Sequence, residues 1–388
     1  MTANRPNAGS VKTLGAVRGF ECHMRPPPGI NGIDKLHTAP TRIMYDQRMS
    51  LTHMKTIQHM FCVAFGGVLT LAGCAGSSVA GATAGADAST DAAVSTDAGA
   101  RPKVVEVVLF THIEDMSPSG TLGSAPNKAD YLALRAKLIE VATLAKARNV
   151  TWVLQPDWKY LEAALLYEDA ALVAATRGHN LFVHLRDDLG AAIDPHSHEA
   201  GGYNYTDVAD LLGKLGVGGT TVIGGHIWDP SLPQFAHWER FRVPVAGLKY
   251  PTAIWRGDIL IGAGTPNHVN DPLVSGAWRP KDPQNFFVDD PAANIVAFGA
   301  WHNDVAGVQE LVALYAAGTV PATTMLTASW NIEPAALKPA NGPTTVDQTV
   351  FAPLAALRDQ GLVEVTDFTS LKAKWQRDFG GVAGMYKP

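Results

Sequence analysis

The stretch from residue 104 to residue 115 reads VVEVVLFTHIED. Its first seven residues are apolar and mostly β-branched, with one glutamate among them, and this pattern predicts a buried strand. The strand runs directly into His112, Glu114 and Asp115. In α/β barrels the reactive side chains lie at the carboxyl ends of the strands, so these three residues stand where chemistry is expected.

A second stretch, residues 193–199, reads IDPHSHE and places His196 and His198 in one short loop between carboxylates. Neutral imidazole nitrogens and carboxylate oxygens suit a divalent ion such as zinc. The alternative interpretation is an exposed polar loop, because loops are polar whether or not they bind a ligand. The acidic cluster after the first predicted strand favours the metal site.

Predicted strands alternate with predicted helices along the rest of the domain. A helix is predicted for residues 127–148, a strand for 150–154, a helix for 158–176 and a third strand for 180–185. The same alternation continues to residue 367. Seven or eight such strands predict an α/β fold in the form of a (β/α) barrel, complete or distorted. A doubly wound open sheet is the alternative.

Three motifs resemble polysaccharide deacetylases of the glycoside hydrolase/deacetylase barrel superfamily. They are the acidic pair Glu114-Asp115 after strand one, TWVL at residues 151–154, and RGHNLFVH at residues 177–184 leading into strand three. In that family the first carboxylate is the base, the second binds metal, and two histidines complete the metal site. The resemblance implies that Glu114 is the base, and that Asp115, His196 and His198 hold a divalent metal, with zinc the preferred ion.

The chain departs from the family pattern at two points. No glycine follows the acidic pair, and the two histidines stand two positions apart rather than four. A second alignment makes His184 the first ligand, puts Asp188 in place of the second, and leaves His196 and His198 free to contact substrate. Both alignments stay open at the level of sequence.

Further histidines, tryptophans and an arginine follow other predicted strands or lie in nearby loops. His226 joins Glu114 as a candidate catalytic residue. Aromatic rings and planar hydrogen-bonding groups at a barrel rim suit a sugar, although each residue alone is also compatible with helix–strand packing. The candidate substrate-binding residues are His112, His184, Trp228, Arg279, Trp301 and His302.

The first hundred residues predict export. Residues 1–53 show no apolar period and are expected to be disordered or to precede the true start codon. Residues 54–73 resemble a bacterial lipoprotein signal peptide, which makes Cys74 the predicted lipidation site; an ordinary signal peptide is the alternative. Residues 74–102, rich in Ala, Gly, Ser and Asp, predict a flexible tether to the domain of residues 103–388.

Composition narrows the possible partners. All three cysteines, Cys22, Cys62 and Cys74, precede the predicted domain, so a metal site there has to use His, Asp and Glu. The net charge is −5 and no basic stripe with interleaved aromatic residues occurs, so nucleic acid is not an expected partner.

Together these features predict a metal-dependent, deacetylase-like hydrolase that acts on an acylated carbohydrate or polysaccharide. The protein is expected to be exported and lipid-anchored to the bacterial envelope, at the outer membrane, on its periplasmic or surface side. The leading alternative is a non-catalytic carbohydrate-binding surface lipoprotein on a degenerate deacetylase barrel, and a purely structural lipoprotein is the third interpretation.

Overall fold

The computed structural model describes residues 103–226, 241–261 and 273–388, which form a mixed α/β fold with parallel strands. The predicted α/β class is therefore confirmed. The strands are β1 (Val105–Ile113), β2 (Trp152–Pro156), β3 (Ala192–Ile193), β4 (Val222–Ile223), β5 (Val245–Ala246), β6 (Ile254–Trp255), β7 (Ile259–Ile261), β8 (Ser275–Trp278), β9 (Val296–Phe298), β10 (Thr327–Asn331), β11 (Val363–Thr366) and β12 (Gly384–Tyr386).

Helices lie between most of the strands of the described residues. They are α1 (Ala125–Ala147), α2 (Trp158–Tyr167), α3 (Ala170–Ala175), α4 (Leu181–Val183), α5 (Tyr205–Lys214), α6 (Val305–Ala316), α7 (Pro334–Leu337), α8 (Gly342–Val346), α9 (Ala352–Asp359) and α10 (Phe368–Phe379). Two π-helical turns, His184–Asp188 and Asp347–Phe351, follow α4 and α8.

Two sheets carry the fold. In the first sheet β1 pairs with β10, β11 and β2, and β2 pairs with β3, all in parallel. In the second sheet β4, β7 and β9 are parallel, whereas β8 and β12 add an antiparallel edge. A short hairpin of β5 and β6 stands apart from both sheets.

The two sheets are joined at both sides by main-chain contacts. A parallel bridge links His196, beyond β3, to Gly224, beyond β4. On the other side, the amide of Ser329 in β10 donates to the carbonyl of Ala300 after β9 (3.0 Å). The ladders of the described residues do not form one closed sheet, so the barrel stays a prediction.

Apolar side chains cover both faces of β1. Val105, Val107 and Leu109 belong to a core that packs the first sheet against α1, α2, α5, α6 and α9. Val108 and Phe110 point to the other side, into a core shared with the second sheet and the apolar face of α10. A strand buried on both faces has a nearly continuous apolar sequence, and residues 104–110 are apolar except for the buried Glu106.

Residues 180–185, predicted as the third strand, are helical, and that prediction is wrong. The side chain of Asn180 accepts a hydrogen bond from the amide of Val183 (3.0 Å) and caps a helix start. A short apolar run fits a strand or a buried helix equally well, and here the cap decides between them. The third strand is β3, which leads directly into residues 194–199.

The predicted helix over residues 158–176 is divided into α2 and α3. Asp169 accepts hydrogen bonds from the amides of Ala171 and Leu172 (3.1 and 3.0 Å) and so begins a new helix. Just before it, Glu168 accepts from Tyr131 (2.6 Å) and from Nε of Arg135 (2.7 Å). These bonds hold the junction against α1.

The predicted segments 1–53, 54–73 and 74–102, including Cys74, lie outside the described residues. Within the described residues, no helix combines the length and the apolar character that crossing a membrane requires.

The first testable prediction concerns the Glu168–Arg135 pair, whose side chains are 5% and 8% exposed. Glu168→Ala should lower the free energy of unfolding by about 3–5 kcal/mol, because it leaves a buried guanidinium without its counter-charge. Urea unfolding measures the loss. The matched control is Glu140→Ala, which removes the exposed partner of Lys137 and should cost less than about 0.5 kcal/mol. Equal losses in both variants would contradict the prediction.

Candidate metal centre

Main-chain hydrogen bonds bring the ends of four strands together. The amide of Asp157, after β2, donates to the carbonyl of Ile113 at the end of β1 (2.8 Å). The amide of His196 donates to the carbonyl of Pro156 (3.3 Å), and His196 also forms the bridge to Gly224 beyond β4. The residues that follow β1, β2, β3 and β4 therefore meet at the carboxyl ends of the strands, as predicted.

Two groups of potential metal ligands lie at this end of the described residues. The inner group is His112, Glu114 and His196, and the outer group is Glu114, Asp115 and His198. Within each group the ligand atoms lie within 4.8 Å of one another, and Glu114 belongs to both. The expectation that Asp115 and His198 share one end of the fold is confirmed.

The carboxylate of Glu114 stands among three imidazoles. Its Oε2 atom is 3.3 Å from Nδ1 of His198 and 3.7 Å from Nε2 of His196, and its Oε1 atom is 3.9 Å from Nδ1 of His112. The ring of His196 packs between the other two rings, at centroid distances of 4.3 Å from His112 and 4.8 Å from His198.

His196 is the buried member of the cluster. Its side chain is 0% exposed, and neither ring nitrogen forms a hydrogen bond with a described residue. Burial lowers the pKa of His196 well below its usual range, with a smaller contribution from His198, so the ring is neutral. A neutral, buried imidazole without a hydrogen bond fits a metal ligand, since such atoms otherwise have a partner.

Asp157 lies behind His196 and was not selected from the sequence. Its Oδ2 atom is 3.4 Å from Nδ1 of His196, and its Oδ1 atom accepts from the amide of Trp158 (2.6 Å). Burial raises the pKa of Asp157 to about 7, against the opposing effect of that hydrogen bond. It stands directly after β2 as Glu114 stands after β1, but it also stands at the N-cap of α2, so the sequence alone does not separate the two roles.

A second buried acid, Asp194, precedes His196 by two residues. Burial raises the pKa of Asp194 to about 7, and the neighbouring side chains of Thr220 and Gln155 oppose that rise. The two buried acids beneath the histidines, Asp157 and Asp194, therefore carry less negative charge at neutral pH than two fully ionised carboxylates would.

Two glycines leave room for the side chains of Gln155 and His196. A Cβ atom at Gly224 would lie 2.6 Å from Oε1 of Gln155, and one at Gly225 would lie 2.7 Å from Nε2 of His196. Gly225 also has a φ of +81°, a conformation that favours glycine. The space beside Nε2 depends on the absence of a side chain at this position.

Exposure falls from the outer group to the inner group. The side chains of Glu114 and His198 are 42% and 31% exposed, whereas His112 is 15% exposed and His196 is buried. The arrangement can hold a divalent ion on its buried side and present it to a molecule that arrives from solvent.

His184 belongs to neither group. Its Nδ1 atom lies 2.8 Å from Oδ2 of Asp188, and the same oxygen is 2.9 Å from Nδ1 of His179. The two residues of the second alignment therefore contact each other within a π-helical turn. The structure places His196 and His198 beside Glu114 and leaves His184 outside both ligand groups.

The other predicted site residues are dispersed. His226 is buried against Phe241 and Phe286 (centroids 5.3 and 5.8 Å away), and Trp301 is fully buried in the core. His302 follows β9 and lies 3.9 Å from Glu310. Trp228 lies outside the described residues.

Arg279 lies at the opposite end of the strands from the histidines. β8 runs antiparallel to β9 and pairs Trp278 with Ala297, so Arg279 follows at the amino end of β9. There its guanidinium donates two hydrogen bonds to Asp289, of 3.0 and 2.8 Å, and its main-chain amide donates a third of 2.8 Å. The structure does not bring Arg279 to the metal-ligand cluster.

No protein-family model matches the chain, and no curated protein matches it. Solved structures similar to it include the following three. A protein from Parabacteroides distasonis described as a glycoside hydrolase/deacetylase shares 10% identity with a TM-score of 0.40, over 71% of this chain and 72% of that one. A protein from Pseudomonas aeruginosa PAO1 described as a polysaccharide deacetylase shares 11% identity with a TM-score of 0.40, over 72% of this chain and 94% of that one.

The third structure is a family 57 glycoside hydrolase, a branching enzyme from Thermococcus kodakaraensis. It shares 9% identity with a TM-score of 0.35, over 70% of this chain and 71% of that one. At TM-scores below 0.5 these likenesses carry no conclusion about activity.

A prediction follows for Gly225. Gly225→Ala should weaken Zn²⁺ binding by roughly tenfold or more, the size of effect seen when the surroundings of a ligating histidine are disturbed. The control is Gly202→Ala, because Gly202 has a similar φ (+83°) but open space where its Cβ would lie. Competition with a chromophoric chelator measures both affinities. Parallel losses in the two variants would indicate backbone strain and not occlusion of His196.

Proposed function

We propose that this protein is a divalent-metal-dependent hydrolase that removes acyl groups from a carbohydrate. The observation that carries the proposal is His196, a buried and neutral imidazole next to Glu114 and His112 at the carboxyl ends of the strands. The carbohydrate substrate is supported by the resemblance of residues 104–199 to polysaccharide deacetylases. The contacts that join the two sheets at both sides support a distorted (β/α) barrel as the scaffold.

The inner group would hold the ion. Two imidazoles and a carboxylate form a donor set that zinc accepts while keeping a further position open. This set differs from the one implied by the resemblance, because neither group of the described residues contains both His196 and His198. A divalent ion held there would lower the pKa of a bound water and would polarise an acyl carbonyl.

The outer group would carry out the proton transfers of the reaction. Asp115 is not part of the inner group, and it lies on the side of Glu114 where His198 is open to solvent. We assign to Asp115 the removal of the proton from the attacking water and its return to the leaving hydroxyl or amine. His198 is placed to orient the substrate or the water by hydrogen bonding.

Two substitutions separate the role of Glu114 as a metal ligand from the role of Asp115 as the base. Glu114→Gln should empty the metal site, since it removes the carboxylate of the inner group. Asp115→Asn should keep the metal and lower the rate by about a hundred- to ten-thousand-fold, the usual contribution of a general base. Metal analysis of each purified variant and hydrolysis of acetylated oligosaccharides measure the two effects. The control is Glu310→Gln, an exposed carboxylate near His302 that should affect neither.

The opposite pattern would return the base to Glu114, as the resemblance to deacetylases implies. A protein that purifies without stoichiometric metal, binds glycans and hydrolyses none would instead be the non-catalytic carbohydrate-binding lipoprotein.

We also propose that the chain is exported and anchored to the envelope through lipid on Cys74. The support is the apolar run that ends in Leu-Ala-Gly before Cys74, together with the Ala-, Gly- and Ser-rich segment that follows it.

A further prediction tests this anchor. Cys74→Ser should move the protein from the detergent phase to the aqueous phase of a phase-separating detergent extract, because the thiol that carries the lipid is lost. Cys62→Ser is the control, since it changes a cysteine inside the apolar run and leaves the Leu-Ala-Gly-Cys sequence intact. Aqueous partitioning of the parent protein with an unmodified Cys74 would overturn the proposal.

A further inference from the structure

The carboxylate of Asp157 lies beside the start of α2, the imidazole of His196 and the main chain of His198. Its Oδ1 atom accepts from the amide of Trp158 (2.6 Å), which begins α2. Its Oδ2 atom lies 3.4 Å from Nδ1 of His196. One side chain thus connects the start of a helix to the buried imidazole of the inner group.

The main chain fixes Asp157 from both sides. Its amide donates to Ile113 at the end of β1, and its carbonyl accepts from Tyr160 and Leu161 in the first turn of α2. The side chain is 0% exposed. A carboxylate held in this way has little freedom to turn away from His196.

Capping alone does not account for a carboxylate at this position. Asp169 caps α3 with one oxygen that accepts from the amides of Ala171 and Leu172, and these hydrogen bonds are exposed. Asp157 makes one capping bond and is fully buried, and burial disfavours a carboxylate more than a cap stabilises a helix. Serine or asparagine would cap α2 without a buried acid.

A neutral imidazole carries one proton, and an ionised carboxylate can only accept a hydrogen bond. Oδ2 of Asp157 lies 3.4 Å from Nδ1 of His196 without forming a hydrogen bond, and a carboxylate beside this nitrogen favours the tautomer with the proton on Nδ1 and the lone pair on Nε2. Nε2 is the nitrogen that faces Oε2 of Glu114 (3.7 Å). It is also the nitrogen beside which Gly225 leaves space.

We propose that Asp157 is a positioning residue that fixes the tautomer and the orientation of His196, so that Nε2 is the metal-binding atom. This inference rests on the proposed metal-dependent function and extends it from the ligands to the group behind them. Carboxylates that accept the second N–H of a ligating histidine raise the affinity of the site for its metal.

The experiment compares the parent protein with Asp157→Asn and Asp169→Asn. Asparagine and aspartate cap helices equally well, so both variants should keep the helix start, and the thermal midpoints of the metal-free proteins are measured first to confirm that each variant is folded. Asp157→Asn should bind Zn²⁺ about ten- to a hundred-fold more weakly, the usual effect of removing such a partner. Asp169→Asn should bind Zn²⁺ like the parent. Competition with a chromophoric chelator at pH 8 measures the affinities.

A second variant and a second readout keep the test decisive. Asp157→Ser retains a capping hydroxyl that is too short to reach His196, so it should lose the same affinity even if the asparagine variant does not fold. Nitrogen-15 NMR of the imidazoles reports the tautomer directly and does not depend on turnover. The metal-free parent should show the proton on Nδ1 of His196, and both Asp157 variants should reduce that preference.

The outcomes separate the two proposals. Parent-like zinc affinity in both Asp157 variants, or a parent His196 protonated on Nε2, overturns the inference and leaves the metal-dependent function standing. A parent protein that binds no Zn²⁺ overturns the proposed function and, with it, the role of Asp157 in metal binding.

Discussion

The parallel pairing of β1 is the constraint on which the candidate site depends. This strand of nine residues pairs with β10, β11 and β2, and all three pairings are parallel. Parallel strands point their carboxyl ends the same way, so the residues that follow β1, β2 and β3 meet without long loops. The hydrogen bonds of Asp157 and His196 extend this order just beyond the strands, and they determine which side chains can touch.

Burial then gives the converging side chains different chemical characters. His196 loses its charge because it is buried, and only a neutral imidazole can bind a metal. Glu114 stays partly open to solvent while it contacts the buried ring, so one carboxylate connects the interior to the surface. A site that is buried on its inner side and exposed to solvent on its outer side can hold an ion and still admit a substrate.

Much of this arrangement could be predicted from the sequence. The apolar run before His112 marked a strand buried on both faces, and parallel order then placed Asp115 near His198. The ligand grouping could not be predicted, because the spacing of His196 and His198 does not reveal that the two rings belong to different ligand groups around the shared carboxylate of Glu114. Residues 180–185 were predicted as the third strand because a short apolar run fits a strand or a buried helix. The hydrogen bond from the amide of Val183 to the side chain of Asn180 makes them helical. Asp157 was missed because a single acid before a helix is indistinguishable from an ordinary cap until its burial is known.

The two ends of the described domain leave it at opposite ends of the parallel strands. The chain enters β1 at Val105, at the amino end, far from the side chains that follow Ile113. β12 runs antiparallel to β8, and β8 runs antiparallel to β9, so β12 points the same way as β9 and ends near Ser275 on the rim of the histidines. A support or fusion partner attached ahead of residue 103 therefore leaves the approach to Glu114 open. A partner attached after residue 388 would lie at the same end of the strands as the histidines, where it would compete for space with a large substrate.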